Sequence, residues 1–154
     1  ESYGHDIECS WLMHEAALVL GDKQVLEKVE PIVRLVAEAS EKGLNADGSM
    51  THEANLDTGH IDSDRHWWVQ AEAVVGFVNA YEVTKEEKFL DAGKKIFEYI
   101  ENVLTDKREG SEWFWSVSKD GKPEERGITE PWKCPYHNGR MCLELISRGF
   151  DKKS

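Results

Sequence analysis

In Arg65-His-Trp-Trp-Val-Gln-Ala-Glu-Ala-Val-Val-Gly-Phe-Val-Asn-Ala-Tyr-Glu-Val83, the spacing of the residues predicts a helix. Apolar side chains would lie on nearly every side of it. A helix with no polar face is buried all round, and Asp64 is a candidate N-cap for it. The next segment, Lys85 to Leu104, has one apolar and one charged face, which is typical of a helix packed outside a core. The two segments predict a helical hairpin, with an inner helix near 65–82 and an outer helix near 86–105.

The same alternation occurs in the N-terminal part of the chain. Asp6 to Leu20 is apolar around most of its circumference and is followed by Gly21, so it predicts a largely buried inner helix near 6–20. Lys23 to Lys42 carries a one-sided apolar stripe, which predicts an outer helix near 24–42 that Pro31 either kinks or divides. A tight turn is expected at Asn45-Ala-Asp-Gly48.

The C-terminal part predicts a further inner helix near 138–148, because an apolar run from Met141 to Ile146 follows a turn-rich segment. Short β-structure is expected only near 48–53 and 112–118. Buried and amphipathic helices thus alternate with a period of roughly 60 to 70 residues. This alternation predicts an all-α toroid of helical hairpins, in which inner helices form a barrel and outer helices surround it. Five helices cannot close such a ring and would be about 40% of a six-hairpin barrel.

Composition limits the possible functions. The 154 residues, 40% of them hydrophobic, suffice for one domain with a core. A net charge of −11 without a basic cluster argues against nucleic acid as a partner. The apolar runs are too short for a membrane span, and no signal peptide is visible. Free thiols in a reducing cytoplasm are the simplest interpretation of three cysteines without metal-finger spacing, Cys9, Cys134 and Cys142.

Three tracts combine His, Trp and charged residues where inner helices are predicted to begin. They are Gly4-His5-Asp-Ile-Glu8-x-x-Trp11, Arg65-His-Trp-Trp68-Val-Gln-Ala-Glu72 and Trp132-x-x-x-x-His137-x-x-Arg140. Imidazole is the side chain best suited to moving protons near neutral pH, and indole offers a flat apolar face for a sugar ring. Because all three tracts lead into inner helices, we expect them at one end of the barrel. The combination suits proton transfer on a carbohydrate.

Two interpretations of His5 and Glu8 remain open at this point. The residues are three apart and share a helix face, so the carboxylate could orient the imidazole inside a pocket. Alternatively, Glu8 is a first-turn carboxylate stabilised by the helix dipole, and His5 is a residue at the start of the helix with no functional role. A metal centre is not expected, because His14 lies on the opposite side of the helix from His5.

Other polar residues have structural interpretations. Glu72 stands in an otherwise apolar helix, where an unpaired carboxylate would be costly. We therefore expect Glu72 to bond to a neighbouring inner helix or loop. For His52 and His60, which lie in a polar loop, hydrogen bonding within the loop or at the surface is expected.

The three tracts resemble the N-acylglucosamine 2-epimerase family, and most closely its cellobiose 2-epimerase branch. The resemblance covers essentially the whole chain and corresponds to the C-terminal part of the family, so residues 1–154 are expected to be the C-terminal portion of an (α/α)6-barrel epimerase domain. Because the chain opens at Glu1 without Met, in the middle of what looks like an active motif, we expect it to be a piece of a larger polypeptide. The family's N-terminal half would then be missing, and the chain alone would be inactive.

The resemblance implies epimerisation at C2 of a reducing-end mono- or disaccharide through a cis-enediolate. No metal or nicotinamide cofactor is expected, because the sequence has neither a ligand cluster nor a dinucleotide motif. It implies that two His on opposite sides of C2 exchange acid and base roles and that other residues hold the sugar. By motif match, the catalytic residues are His5 and His137, and the substrate-binding residues are Glu8, Trp68, Trp132 and Arg140. Glu8 would hold either His5 or the substrate, and spacing favours Trp68 over its neighbour Trp67 as the residue that faces the sugar.

Two other functions compete with this expectation. An (α/α)6 glycoside hydrolase would need two carboxylates across the glycosidic bond, for which Glu8 and Glu72 are candidates. A non-catalytic carbohydrate-binding module would use only the Trp residues. In each case an open part of a barrel exposes apolar faces, so we expect a second copy or a missing N-terminal half to cover them.

Overall fold

The computed structural model describes residues 1–150, which form a predominantly helical structure. A single 3-10 turn, Glu41–Gly43, follows the second helix, and a π-helical turn, Ile100–Leu104, extends the fourth. The α-helices are α1 (Tyr3–Leu20), α2 (Lys23–Ser40), α3 (Trp67–Thr84), α4 (Glu87–Tyr99) and α5 (His137–Ser147). All five predicted helices are therefore present in the predicted order. Pro31 lies inside α2, which continues through it.

Within residues 1–150, four two-residue strands form two antiparallel pairs. Strand β1 (Glu53–Ala54) pairs with β2 (Ile61–Asp62), and β3 (Arg65–His66) pairs with β4 (Ser116–Val117). The prediction that β-structure stays near 48–53 and 112–118 was therefore wrong for residues 61–66. The predicted turn at residues 45–48 is present, because the amide of Gly48 donates to the carbonyl of Asn45 at 3.0 Å.

The start of α3 also differs from the prediction. Arg65 and His66 are extended because they pair with β4, and the amide of Trp67 donates to the carbonyl of Trp115 at 3.0 Å. The helix begins at Trp67 with His66 at the N-cap position, where no side chain caps it. Asp64 does not cap the helix, and its amide donates to the carboxylate of Asp62 at 3.1 Å.

Helix α3 is the central element of the structure. It packs against α1, α2, α4 and α5, and thirteen of its eighteen residues are buried. Amphipathic α2 packs against α1 and amphipathic α4 packs against α3, so the inner and outer roles are as predicted. Among residues 1–150, the helices lack the combination of length and apolarity that crossing a bilayer requires.

The other two inner helices are less buried than predicted. On α5, Leu143 is 69% exposed and Ile146 is 55% exposed, whereas Met141 is buried against α3. At the end of α1, Val19 is 86% exposed. Both helices are covered where they face α3, and α1 also where it faces α2, whereas within residues 1–150 these apolar side chains stay exposed. The cysteines named above are free and exposed.

A guanidinium joins three helices at the far end of α5. Arg148, which follows the last residue of α5, bonds to Glu15 on α1 at 2.6 Å and to Glu82 on α3. It also pairs with Glu144 on α5 at 3.2 Å. The three inner helices are therefore tied together by charge at this end as well as by apolar packing.

Close packing of α1 on α3 depends on the absence of a side chain at Gly76. A Cβ at this position would lie 2.4 Å from Cγ1 of Ile7, whose side chain is fully buried. At Gly93 on α4, by contrast, the nearest atom to an added Cβ is Cγ2 of Val78 at 3.4 Å, an ordinary contact.

Alanine substitution at the two glycines should therefore change the free energy of unfolding in different directions. We expect Gly76→Ala to destabilise the protein by about 1–3 kcal/mol, because α1 must move away from α3. Gly93→Ala should be neutral or stabilise the fold by about 0.5–1 kcal/mol, because alanine restricts the unfolded chain and favours the helix. Urea unfolding of the two variants measures both values. Equal effects at the two positions would contradict this packing of α1 on α3.

Candidate active site

His5 and His137 both lie beside the indole ring of Trp68. The His5 imidazole, in the first turn of α1, is exposed, and its centroid is 4.7 Å from that of Trp68. The His137 imidazole, at the first residue of α5, has its centroid 5.8 Å from Trp68. The two imidazoles therefore cannot be farther apart than the sum of these distances. Three elements that are far apart in sequence bring these groups together.

Trp68 is held in this position by close backbone packing. A Cβ on Gly4 would lie 2.7 Å from Cη2 of Trp68, so only glycine leaves room for the indole against the first turn of α1. The neighbouring Trp67 is buried, and its ring packs edge-on against His137 with centroids 5.2 Å apart. Trp68 therefore lies beside both imidazoles, while Trp67 supports His137 from the core.

Glu72 orients His137. The side chain of Glu72 is 1% exposed and lies one helical turn after Trp68 on α3. Its Oε1 atom is 2.6 Å from Nδ1 of His137, and its Oε2 atom accepts a hydrogen bond from Nε1 of Trp11 at 3.0 Å. The expected bond from Glu72 to a neighbouring inner helix is thus present.

Arg140 supplies the positive charge that this buried carboxylate needs. One guanidinium nitrogen donates to Oε1 of Glu72 at 2.7 Å and to Oε1 of Glu8 at 2.6 Å. The other terminal nitrogen donates to the hydroxyl of Tyr136 at 2.7 Å. Burial alone would lower the pKa of Arg140, but the bonds to Glu72 and Glu8 outweigh burial and raise this pKa. Arg140 therefore stays charged.

The protonation of His137 follows from these contacts. An ionised carboxylate only accepts hydrogen bonds, so Nδ1 of His137 must carry the proton that is shared with Glu72. In the neutral ring, Nε2 then has a free lone pair and can accept a proton. His5 has a different partner, because its Nδ1 is 2.8 Å from the hydroxyl of Ser2, which can either donate or accept.

Two further predicted site residues, Glu8 and Trp132, have surroundings that differ from those of the histidines. Glu8 bonds to Arg140, and its nearest histidine is His137 at 4.0 Å rather than His5. The reason is that the Glu8 side chain reaches towards α5, whereas the ring of His5 lies against Trp68 and Ser2. Trp132 is 85% exposed in the loop before α5, so its indole is available to a ligand.

Three side chains at the site were not predicted as site residues. The sequence contained a signal for one of them, because Glu72 is an acidic residue in an otherwise apolar helix. Trp11 was included in the first tract without a specific role. Tyr136 immediately precedes His137 and carried no signal.

Glu8, Glu72 and His137 also have the donor atoms of a metal site, which lie within 4.8 Å of one another. However, the guanidinium of Arg140 already bonds to both carboxylates, at 2.6 Å from Glu8 and 2.7 Å from Glu72. A cation in the same place would have to displace it. These three residues therefore fit an arginine-bridged carboxylate pair better than a metal centre.

The chain is similar to known proteins in sequence and in fold. The family model of N-acylglucosamine 2-epimerase (GlcNAc 2-epimerase) matches residues 2–138. A cellobiose 2-epimerase from Bacteroides fragilis is 51% identical over 149 residues, which cover 94% of this chain and 37% of that protein. The crystal structure of a sugar epimerase from a ruminal bacterium superposes with a TM-score of 0.92 at 45% identity. The superposition covers 98% of this chain and 39% of that one.

A second solved structure, the cellobiose 2-epimerase from Bacillus thermoamylovorans B4167, has a TM-score of 0.85 and 51% identity. The superposition covers 96% of this chain but only 37% of the Bacillus protein. These neighbours are (α/α)6-type epimerases, so the all-α fold prediction, with part of an (α/α)6 barrel and short strand pieces, is confirmed. By the match to the family model and the identity to these relatives, the chain belongs to the N-acylglucosamine 2-epimerase family.

Proposed function

We propose that this chain supplies the proton-transfer centre of a carbohydrate 2-epimerase, in which His5 and His137 act on C2 of a reducing-end mono- or disaccharide. The observation that carries the proposal is that both imidazoles pack beside the same indole, Trp68. Relatives that are named cellobiose 2-epimerases support the reaction class.

The chemistry needs two proton-transfer groups. In the open-chain aldose the carbonyl at C1 acidifies the proton on C2, and one imidazole removes it to give a cis-enediolate. Rotation about the C2–C3 bond presents the other face of this planar intermediate, and the second imidazolium returns a proton to C2. A single base cannot easily serve both faces, so residues from two separate elements suit the reaction.

The hydrogen-bond partners of the two histidines support these roles. Glu72 holds a proton on Nδ1 of His137 and leaves Nε2 as the basic atom, as the carboxylate does in a serine-protease triad. The hydroxyl of Ser2 can accept from or donate to His5, so either protonation state of His5 retains its partner. We assign His137 as a base oriented by a carboxylate and His5 as the group that exchanges protons from the other side.

The contacts of the carboxylates argue against a glycoside hydrolase. Glu72 is buried and already bonded to Trp11, His137 and Arg140, so it cannot reach the oxygen of a glycosidic bond. Glu8 shares the same nitrogen of Arg140. Neither carboxylate is free to act as a general acid, and the hydrolase interpretation leaves the paired imidazoles without a role.

We further propose that residues 1–154 form the C-terminal portion of the barrel domain. The chain spans between 37% and 39% of the length of the relatives described above, and its inner helices expose apolar side chains such as Leu143 and Val19. An N-terminal half of the same polypeptide, or a second copy of the chain, would cover these faces. Activity is therefore expected only when the inner ring is complete.

Solvent deuterium tests the proposed proton transfer directly. With the protein expressed from its complete coding sequence and cellobiose as substrate in deuterium oxide, the epimerised product should carry deuterium at C2. His5→Asn and His137→Asn should each lower kcat by about 10²- to 10⁴-fold, which is the usual contribution of a general acid or base. Product analysis by NMR measures both effects.

Two outcomes would contradict this assignment. Epimerised product without deuterium at C2 would point to a redox route at carbon. Release of glucose from cellobiose, with no change at C2, would instead restore the hydrolase interpretation. His60→Asn serves as the control, because His60 is an exposed histidine on the loop between β1 and β2.

Glu72→Gln tests the orientation of His137. The amide keeps the volume of the side chain but is neutral and has one acceptor oxygen instead of two. It cannot accept from Trp11, His137 and Arg140 together, so the tautomer of His137 is no longer fixed. We expect kcat to fall by about 10²- to 10⁴-fold with a smaller change in KM, by analogy with the triad carboxylate.

The matched control for this test is Glu82→Gln. Glu82 is also a carboxylate on α3 that pairs with an arginine, Arg148, but it lies at the other end of α3 from Glu72. Its kcat should stay within a few-fold of the wild type. Equal losses in the two variants would show that Glu72 acts through stability alone.

Trp132→Ala tests whether the exposed indole binds sugar. Stacking contributes to binding and does not touch the transferred proton, so KM should rise about tenfold, which corresponds to ~1.4 kcal/mol, while kcat changes little. Trp132→Phe keeps a flat ring and should recover most of the affinity. A fall in kcat with unchanged KM would contradict a stacking role.

A further inference from the structure

A second cluster of nitrogen and oxygen donors lies beside Trp68, outside the proton-transfer centre. Nδ1 of His52 is 2.8 Å from Oδ2 of Asp62, and Nε2 of His66 is 3.5 Å from the same oxygen. The two imidazole centroids are 4.4 Å apart. One donor atom from each residue therefore lies within 4.8 Å of the other two, which is the spacing of ligands around a single ion.

The backbone holds these three residues in place. Asp62 belongs to β2 and pairs with Glu53 of β1, so the ladder places Asp62 next to His52, which directly precedes β1. His66 belongs to β3 and is held by its pairing with Ser116. The amide of Asp64 donates to Oδ1 of Asp62 at 3.1 Å, which leaves Oδ2 directed at the two imidazoles.

We propose that His52, Asp62 and His66 form a binding site for a divalent transition metal of the zinc, cobalt or nickel class. Two imidazoles and one carboxylate suit these ions, whereas calcium and magnesium prefer ligand sets made of oxygen. Three protein ligands leave at least one position for water. All three side chains are partly buried, between 18% and 32% exposed, so a metal from solvent can reach them.

Binding changes the hydrogen bonding inside the cluster without any redox step. The metal takes the position between Nδ1 of His52 and Oδ2 of Asp62, and the proton on Nδ1 must leave. In a neutral imidazole that proton reappears on Nε2, so the net charge of the ring is unchanged. The 2.8 Å contact opens to the longer separation that two ligands of one ion require.

The position of the cluster gives metal binding a structural consequence. The ring of His52 packs edge-on against Trp68, with centroids 5.6 Å apart, and His66 directly precedes α3. A bound ion would fasten the β1–β2 hairpin to the start of α3. The proposal does not rest on epimerase activity, because its readouts are metal binding and stability.

Titration calorimetry of the metal-free protein, expressed from its complete coding sequence, tests the site with zinc chloride. The wild type should bind one zinc ion that His66→Ala and His52→Ala each weaken by at least about 100-fold, since even the loss of a supporting partner of a ligand costs 10- to 100-fold. His60→Ala, on the same hairpin, is the control and should bind as the wild type does. Zinc should also raise the Tm of the wild type and of the control variant, but not that of the ligand variants.

Cobalt(II) provides a test that needs no variant. An ion held by His52, Asp62, His66 and one water should give the intense visible absorption of a four-coordinate site, and excess zinc should abolish it. Absence of binding to the wild type, or binding that survives both histidine substitutions in folded protein, would overturn the proposal. Calcium binding in preference to zinc would do so as well.

Discussion

A carboxylate buried in an apolar helix is the constraint on which the arrangement of this molecule depends. Glu72 cannot stay ionised in the core unless donors reach it, and those donors come from two other helices, Trp11 on α1 and both His137 and Arg140 on α5. Removing one partner of such a buried group typically costs about 3–5 kcal/mol. The same bonds that assemble the three inner helices also determine the tautomer of His137, so folding and the chemistry of the site rely on one group.

The helices could be predicted from the sequence because their signals are local. An apolar circumference for α3 and one-sided stripes for α2 and α4 follow from residues a few positions apart. The strand at Arg65 and His66 could not be predicted in this way. Its partners, Ser116 and Val117, lie about fifty residues later, and the pairing overrides the helical pattern of the segment. The burial of α1 and α5 was overestimated for a related reason, since it depends on elements outside the helix itself.

For the candidate site, the sequence indicated the residues better than it indicated their partners. The three tracts indicated which residues gather at one end of the helices, and the structure brings His5, Trp68 and His137 together. The partner of each charged side chain was not predictable. Glu8 was expected to hold His5 or the substrate, yet it bonds to Arg140, because the packing angle between α1 and α5 decides which group it reaches. Glu72 drew attention only as a residue in need of a partner.

The two arginines of the C-terminal segment have a joint mechanical consequence. Arg140 joins α5 to Glu8 and Glu72, and Arg148 joins the end of the same helix to Glu15 and Glu82, about 12 Å further along the axis. A helix fastened at one point can pivot or slip by a turn, whereas a helix fastened at two points to the same pair of neighbours can do neither. His137 is the first residue of α5, at the end opposite Arg148. Because Arg148 keeps Glu15 and Glu144 when its bond to Glu82 is lost, the far end of α5 holds the register of the helix, and with it the position of His137, against the loss of a single contact.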